Sequence, residues 1–232
     1  MKKTLLTIII LFLGTFSVSA QLYRYLDTQQ GLSSRRVIAV EKDQKGYMWF
    51  LTQEGVDRYN GKQFTNYTLS DGNRPVLHFP NLSQLHIDNQ DDIWVTGKNG
   101  FIFKYNQMLD KYDLVMNFAD SLKTKRRLPL THTSIDRQNN LWLCTRNAQY
   151  IYRTDTKHVI KLETPIKEEV FYIEQAKGNR YFFGTRENVY VALLKGNRLE
   201  LEPEHTISNI HRVQHIHYHV PTDRLLIGTM AD

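Results

Sequence analysis

The sequence predicts an all-β protein, a β-propeller of four-stranded antiparallel blades, of which about four to five lie in this chain. A turn-and-strand phrase recurs along the chain, and its anchor residues are separated by 45, 48, 40 and 44 positions. In each phrase a polar turn precedes an apolar run through the anchor, and a small residue follows three positions later. The anchors are Trp49, Trp94, Trp142, Phe182 and Leu226. Because several positions recur together, the period indicates a repeat architecture rather than chance.

The first phrase shows why each unit is expected to contain several short strands. Residues 37–40 suit a strand, and the polar residues 43–46 after them favour a tight turn, because Gly46 tolerates positive φ. Residues 48–51 are continuously apolar, which is typical of a strand covered on both faces, as between stacked blades. A further strand is expected at residues 56–59. Each unit is therefore predicted to contain three or four antiparallel strands.

The later units repeat this order. In the second unit the predicted strands include residues 83–87, 93–95 and 101–105, and later units re-enter a strand at residues 151–153 and 189–192. The small residues three positions after the anchors are Thr52, Gly97, Thr145, Thr185 and Thr229. The fourth and fifth units lack the tryptophan and the downstream glycine, so spacing is their main support.

The first residues predict a secretory signal peptide. Lys2 and Lys3 precede an apolar stretch at residues 5–16, and small residues lead to an expected cleavage between Ala20 and Gln21. The apolar stretch is shorter than the ~20 residues that a membrane-spanning helix needs. An uncleaved anchor is the alternative. Together with the propeller pattern, the signal indicates export to the periplasm of a bacterium.

The chain is therefore divided into a signal peptide at residues 1–20 and a partial propeller domain at residues 21–232. Cys144 is the single cysteine, so an internal disulfide is excluded, and a buried thiol of this kind behaves as a small apolar side chain. No cofactor is expected.

The charge of the chain is moderately positive. The formal net charge of +6 falls to +4 when Lys2 and Lys3 are removed with the signal. Basic residues concentrate only at residues 123–127, which favours a solvated loop between blades, with contact to an anionic glycan as the alternative. Because the domain is expected outside the cytoplasm, nucleic acid is not expected as a partner.

Two segments resemble a known family. Residues 23–34 and residues 43–64 are similar to the two-component regulator propeller repeats, which open the periplasmic sensor part of hybrid two-component histidine kinases in Bacteroides-type bacteria. The similarity is strongest over roughly the first hundred residues. The third unit departs from the family pattern at Ala148, where glycine is expected.

The resemblance implies a function for a larger parent protein. Family members carry large propellers outside the membrane, then a transmembrane helix, a histidine kinase and a DNA-binding region. It implies a glycan ligand, a homodimeric parent and control of transcription of polysaccharide-use genes. This chain carries no kinase motif, so it is expected to be a non-catalytic fragment of such a sensor, with the rest of the kinase as its partner.

Candidate chemistry is sparse. His215, His217 and His219 share one face of a predicted strand and are weak candidates for a zinc site, the alternative being an ordinary inner strand. The carboxylates at residues 91–92 and 168–169 are adjacent and point to opposite faces, so they do not form an acid–base pair. No catalytic residue is assigned, and the ligand-contacting aromatic residues are not identified.

Two further function classes remain open. The first is a secreted propeller enzyme acting on polysaccharide, a lyase or glycosidase, which requires a carboxylate pair or a His/Tyr/Arg set at the mouth of the central channel. The second is a stand-alone binding or scaffold propeller. The periplasmic sensor is the leading hypothesis.

Overall fold

The computed structural model describes residues 25–70, 75–77, 82–124, 128–210 and 213–230. Along these residues, four antiparallel sheets of four strands are followed by a sheet of two strands. We number these sheets blades 1 to 5. The expected propeller of four-stranded blades is confirmed for the first four. The signal peptide and its cleavage between Ala20 and Gln21 lie outside the described residues.

The strands follow the expected order within each blade. Blade 1 contains β1 (Val37–Lys42), β2 (Met48–Thr52), β3 (Val56–Tyr59) and β4 (Phe64–Tyr67), and a small hairpin follows, β5 (Leu69–Ser70) and β6 (Pro75–Leu77). Blade 2 contains β7 (Leu82–Ile87), β8 (Ile93–Gly97), β9 (Phe101–Asn106) and β10 (Lys111–Asn117). Blade 3 contains β11 (His132–Ile135), β12 (Leu141–Thr145), β13 (Ala148–Arg153) and β14 (His158–Lys161). Blade 4 contains β15 (Tyr172–Gln175), β16 (Arg180–Gly184), β17 (Val189–Lys195) and β18 (Arg198–Leu201), and blade 5 contains β19 (Val213–His219) and β20 (Arg224–Thr229).

In the described residues, helical structure is limited to single turns. The one α-helix of the described part, α1 (Phe118–Ser121), lies between blades 2 and 3, and short 3-10 turns occur at Thr28–Gln30, Pro203–His205 and Val220–Thr222. Among the described residues, no helix has the length and apolarity that a membrane crossing requires.

The first strands of consecutive blades contact one another in chain order, β1 with β7, β7 with β11, β11 with β15 and β15 with β19. The blades therefore pack side by side around the inner strands. The antiparallel order places the connections between blades and the turns after each second strand on one side, which we call the connection face. The remaining turns lie on the opposite side, which we call the hairpin face.

The anchors of blades 1 to 3 are buried between blades. The exposed fraction is 1% for Trp49, 3% for Trp94 and 0% for Trp142. Each of these rings belongs to an apolar cluster that includes residues of the following blade, such as Phe103 for Trp49. In blades 2 to 4 the residue before the anchor, such as Ile93, belongs to the cluster that includes residues of the preceding blade. The second strand is therefore apolar on both faces because a blade covers each face.

An aspartate six residues before each tryptophan fixes both the turn and the ring. Oδ2 of Asp43 accepts a 2.8 Å hydrogen bond from Nε1 of Trp49, and Asp88 and Trp94 form the same bond at 2.9 Å. Oδ1 of Asp43 accepts from the backbone amide of Tyr47, which closes the turn. The sequence interpretation assigned these aspartates to turn formation alone. In the structure they also satisfy the buried indole.

The anchors of blades 4 and 5 occupy the same register but are less buried. Trp142 pairs with Ser134, Phe182 with Glu174 and Leu226 with His217. Phe182 is half-buried, with its ring centroid 5.6 Å from that of Tyr218 in blade 5. Leu226 is 58% exposed. The burial of an anchor thus depends on what covers the blade that carries it.

Candidate functional site

The three histidines of β19 share a face but have separate surroundings. They are exposed and alternate with the buried residues Ile216 and Tyr218. The partners of the three rings are the ring of Tyr172 for His215, the carboxylate of Glu174 for His217 and the hydroxyl of Thr222 for His219. In the part of the chain that the structure describes, no three His, Cys, Asp or Glu side chains are grouped so that they could hold a metal ion.

One of these histidines belongs to a row that crosses four blades. In each of blades 2 to 5, one residue of the first strand pairs with the residue two positions after the anchor. In blade order these first-strand residues are Gln84, His132, Tyr172 and His215, and we call them the inner ladder. Nε2 of Gln84 lies 3.0 Å from Nδ1 of His132, and the ring centroids of His132 and Tyr172 are 5.5 Å apart. The Tyr172 and His215 rings are 6.0 Å apart, so the row is continuous.

The ladder rests on a hydrogen-bonded network between blades 2 and 3. Oε1 of Gln84 accepts a 2.8 Å bond from the hydroxyl of Thr133, and that hydroxyl lies 2.9 Å from Nε2 of His86. Burial lowers the pKa of His132 to about 3 and the pKa of His86 to about 4. Both rings are therefore neutral at neutral pH. At this end the ladder is a satisfied polar network that holds two blades together.

At blades 4 and 5 the ladder opens into a cavity. This inner cavity has a volume of about 360 Å³ and is lined by Phe171, Tyr172, Arg186, Val213 and Gln214. Its volume lies within the range of roughly 300–1,000 Å³ that is common for ligand pockets. Tyr172 contributes a partly buried aromatic side chain to the lining, while Arg186 and Gln214 supply hydrogen-bond donors for the polar groups of a sugar. The inner cavity therefore combines the groups that carbohydrate binding needs.

A carboxylate nearby on the connection face is already fully engaged. Glu168 accepts hydrogen bonds from Thr185 Oγ1 at 2.7 Å, from Asn188 Nδ2 at 3.0 Å and from the hydroxyl of Tyr190. Burial raises the pKa of Glu168, but the bonds from Tyr190, Thr185 and Asn188 outweigh burial, and the pKa lies below its ordinary value. Because it is ionised and surrounded by donors, Glu168 positions β16 and β17 and is unsuited to donate a proton.

A second cavity lies between blades 2 and 3. Its volume is about 740 Å³, and its lining mixes carboxylates, lysines and aromatic edges. Lys104 lies 2.5 Å from Asp92 Oδ2 and 5.1 Å from the ring centroid of Trp94, so its charge is engaged within the protein. Since Trp94 is buried, the groove offers little aromatic surface for stacking.

The equivalent place between blades 1 and 2 is occupied by the protein's own arginine. The guanidinium of Arg58 lies 5.2–5.8 Å from four ring centroids and donates a 2.6 Å hydrogen bond to the hydroxyl of Tyr105. The four rings are those of Tyr47, Trp49, Tyr67 and Tyr105. These aromatic residues therefore build the interblade core.

The residues of the inner cavity were not identified from the sequence. The sequence does contain a signal for Tyr172 and Arg186, because both occupy positions fixed by the repeat. Tyr172 lies ten residues before the anchor Phe182, and Arg186 lies four residues after it. Their meeting with Gln214 of blade 5 depends on how blades pack.

Several solved structures share this fold. The extracellular domain of the hybrid two-component system BT3049 from B. thetaiotaomicron aligns with a TM-score of 0.68 and 19% identity, over 89% of this chain and 29% of that chain. YCF48 bound to D1 peptide aligns with a TM-score of 0.63 and 12% identity, over 88% and 63% of the two chains. A catalytically inactive virginiamycin B lyase from Staphylococcus aureus aligns with a TM-score of 0.55 and 11% identity, over 85% and 71%. A scan of protein-family models and a search of the curated proteins find no match.

At these identities the likeness shows the fold, which is the one that the family resemblance implies. The chain spans less than a third of the BT3049 domain, 29% of its length. One of the three structures belongs to a signalling system, one binds a peptide and one is an enzyme. Function therefore has to be argued from the site.

Proposed function

We propose that this chain is the ligand-binding part of a periplasmic sensor, belonging to a hybrid two-component signalling protein, and that it recognises a glycan at the inner cavity. The observation that carries the proposal is the convergence of Tyr172, Arg186 and Gln214 on one cavity at the junction of two blades. The signal peptide predicted at residues 1–20 and the fold shared with the BT3049 extracellular domain support the periplasmic sensor role.

A ligand in the inner cavity contacts two blades together. Tyr172 and Arg186 belong to blade 4, whereas Val213 and Gln214 begin blade 5. A bound sugar therefore fixes the position of one blade relative to the next, which is the kind of change that a sensor can pass to its kinase. In the parent protein, a dimeric kinase uses this change to control transcription of polysaccharide-use genes, and the propeller itself performs no catalysis.

One observation favours a second candidate, a polysaccharide lyase. Tyr172, Arg186 and His215 form a His/Tyr/Arg set beside the inner cavity, as a lyase would require. A lyase needs a base that removes a proton next to a carboxylate. Burial raises the pKa of Tyr172, so its phenol remains protonated at neutral pH and is a poor base. Binding without turnover is the function that the cavity supports best.

The test is calorimetric titration of the mature protein, purified after export, with a panel of neutral and acidic oligosaccharides. We expect at least one oligosaccharide to bind, with affinity lost in Tyr172→Ala and reduced in Arg186→Ala. Tyr25→Ala changes a tyrosine that is 87% exposed and outside the cavity, so it serves as the control and should bind normally. If no oligosaccharide binds, or if both cavity variants bind like the wild type, the proposal is wrong. Formation of unsaturated sugar ends in the same mixtures would establish the lyase instead.

A further inference from the structure

Three cations occupy one repeated position on the connection face. In blades 1 to 4, the residue four positions after the anchor lies in the turn that follows the second strand. In blades 2, 3 and 4 this residue is basic and exposed, and in blade 1 it is Gln53. We call the three basic residues the cation row: Lys98, Arg146 and Arg186. Because the blades repeat, the row crosses three consecutive blades on the side where the inner cavity opens.

The backbone beneath the row is held at two of the three positions. The carbonyl of Lys98 accepts a 2.9 Å hydrogen bond from the amide of Leu130, at the entry to blade 3. The carbonyl of Arg186 accepts a 3.4 Å bond from the amide of Val213, at the entry to blade 5. Each of these turns is therefore anchored to the next blade, while its charged side chain extends from the surface.

The charges of the row are available to a ligand. No ion pair involves Lys98 or Arg186 within the described ranges, and Nε of Arg146 lies 3.7 Å from Glu169 Oε2, with the arginine side chain 80% exposed. An exposed pair of this kind contributes little, about 0–1 kcal/mol, so an incoming anion can replace it at small cost.

The surroundings of the row indicate which anion fits. Glu54 and Glu187 follow directly on two of the same turns and are exposed, so the face is not uniformly positive. A nucleic acid, which carries a phosphate at every nucleotide, would meet repulsion from these carboxylates. A polysaccharide with separated acid groups can place its hydroxyls against Glu54 and Glu187 and its anions against the row. Tyr172, which lines the inner cavity beside Arg186, adds an aromatic contact for a sugar ring.

We propose that the ligand is an acidic polysaccharide, whose carboxylate or sulfate groups contact Lys98, Arg146 and Arg186 while one sugar residue occupies the inner cavity. The inference rests on the proposed glycan-binding function and extends it to a ligand class. Guanidinium groups pair with carboxylate or sulfate through two parallel hydrogen bonds, and Lys98 adds a point charge. The contacts are exposed, so salt weakens them.

The experiment compares three probes by calorimetry: tetragalacturonate, which carries carboxylates alone, a chondroitin sulfate hexasaccharide, which carries sulfates in addition to carboxylates, and galactotetraose as a neutral sugar. We expect one acidic probe to bind about tenfold or more tightly than galactotetraose, with an affinity that falls as salt is raised. Lys98→Gln and Arg146→Gln should each weaken the acidic probe several-fold. Lys195→Gln, which removes an exposed lysine at the hairpin face, is the matched control and should change nothing.

The outcomes separate this inference from the proposed function. Binding of galactotetraose as tightly as the acidic probes, unaffected by the row variants, would overturn the acidic ligand and leave a glycan sensor in place. Absence of binding by every sugar would overturn both. A single-stranded DNA oligonucleotide that binds as tightly as the acidic probe, with the same response to Lys98→Gln, would show unspecific attraction of polyanions and overturn the inference.

Discussion

The hydroxyl of Tyr181 in blade 4 donates a hydrogen bond of 3.0 Å to Oδ2 of Asp136 in blade 3. The same oxygen accepts a 3.0 Å bond from Nε1 of Trp142, and Oδ1 accepts from the backbone amides of Gln138 and Asn140. One buried carboxylate therefore joins a turn, the anchor of its own blade and the neighbouring blade. Burial and the charge of Asp136 raise the pKa of Tyr181, which keeps its hydroxyl a donor.

Asp136→Asn tests this junction. An amide group cannot accept hydrogen bonds at both of its ends, so either the Trp142 and Tyr181 donors or the turn amides lose their acceptor. We expect the free energy of unfolding to fall by about 1–3 kcal/mol, as is usual for buried unsatisfied polar groups. Denaturant titration measures this change. Asp155→Asn, at an exposed turn, is the control and should lie within about 0.5 kcal/mol of the wild type; equal stability of the two variants would contradict the assigned role of Asp136.

The repeat allows a matched comparison of anchors. Trp94→Ala removes a buried ring and is expected to cost about 3–5 kcal/mol of unfolding free energy. Leu226→Ala changes the same register position in blade 5, where the side chain is 58% exposed, and should cost far less. Thermal and denaturant unfolding measure both. If Trp94→Ala kept its stability and lost only ligand binding, the tryptophan would be a ligand contact.

The neutral imidazole of His132 makes stability depend on pH. Burial, together with the smaller effects of the neighbouring His86 and His215, lowers its pKa from an ordinary value of 6.5 to about 3. Between pH 6.5 and about 3 the unfolded chain binds the additional proton, so the free energy of unfolding falls as pH decreases from 6.5. At pH 5 the loss from this group is about 2 kcal/mol. His132→Gln should show a flatter profile between pH 7 and 5; a profile parallel to the wild type would refute the prediction.

Cys144 is expected to be unreactive in the folded protein. The thiol is buried in β12, and burial raises its pKa, so the reactive thiolate is scarce at neutral pH. Titration with Ellman's reagent should give no rapid reaction until denaturant is added. Thr156→Cys, which introduces a thiol at an exposed turn, should react at once and shows that the reagent is active. Rapid labelling of native Cys144 would mean that blade 3 opens readily.

Signal cleavage is expected between Ala20 and Gln21. Signal peptidase requires small residues at and shortly before the cut, which Val18 and Ala20 provide. N-terminal sequencing of the exported protein should begin at Gln21. Ala20→Asp should leave the precursor uncleaved, whereas Ser17→Asn should be processed. Recovery of Met1 on membrane-bound wild-type protein would show that the segment is an anchor.

The blade order could be read from the sequence because it depends on local patterns. The polar turn at Asp88, the continuous apolar run around Trp94 and the small residue at Gly97 each follow from strand and turn chemistry within a few residues. The same reasoning placed His215, His217 and His219 on one face of a strand. It could not assign their partners, because these lie on other strands or in the next turn.

The sequence by itself determined the repeat: its period, the strands within each blade and the register that places Trp142, Phe182 and Leu226 at equivalent positions. Tertiary structure decided what those positions do. Trp142 is buried because side chains of blade 4, such as Phe183, pack against it, whereas Leu226 is 58% exposed. The inner cavity likewise joins Tyr172 and Arg186 to Gln214 of the next blade. Such contacts depend on how blades pack side by side. Residues so far apart in the chain show no local sequence pattern that predicts a contact between them.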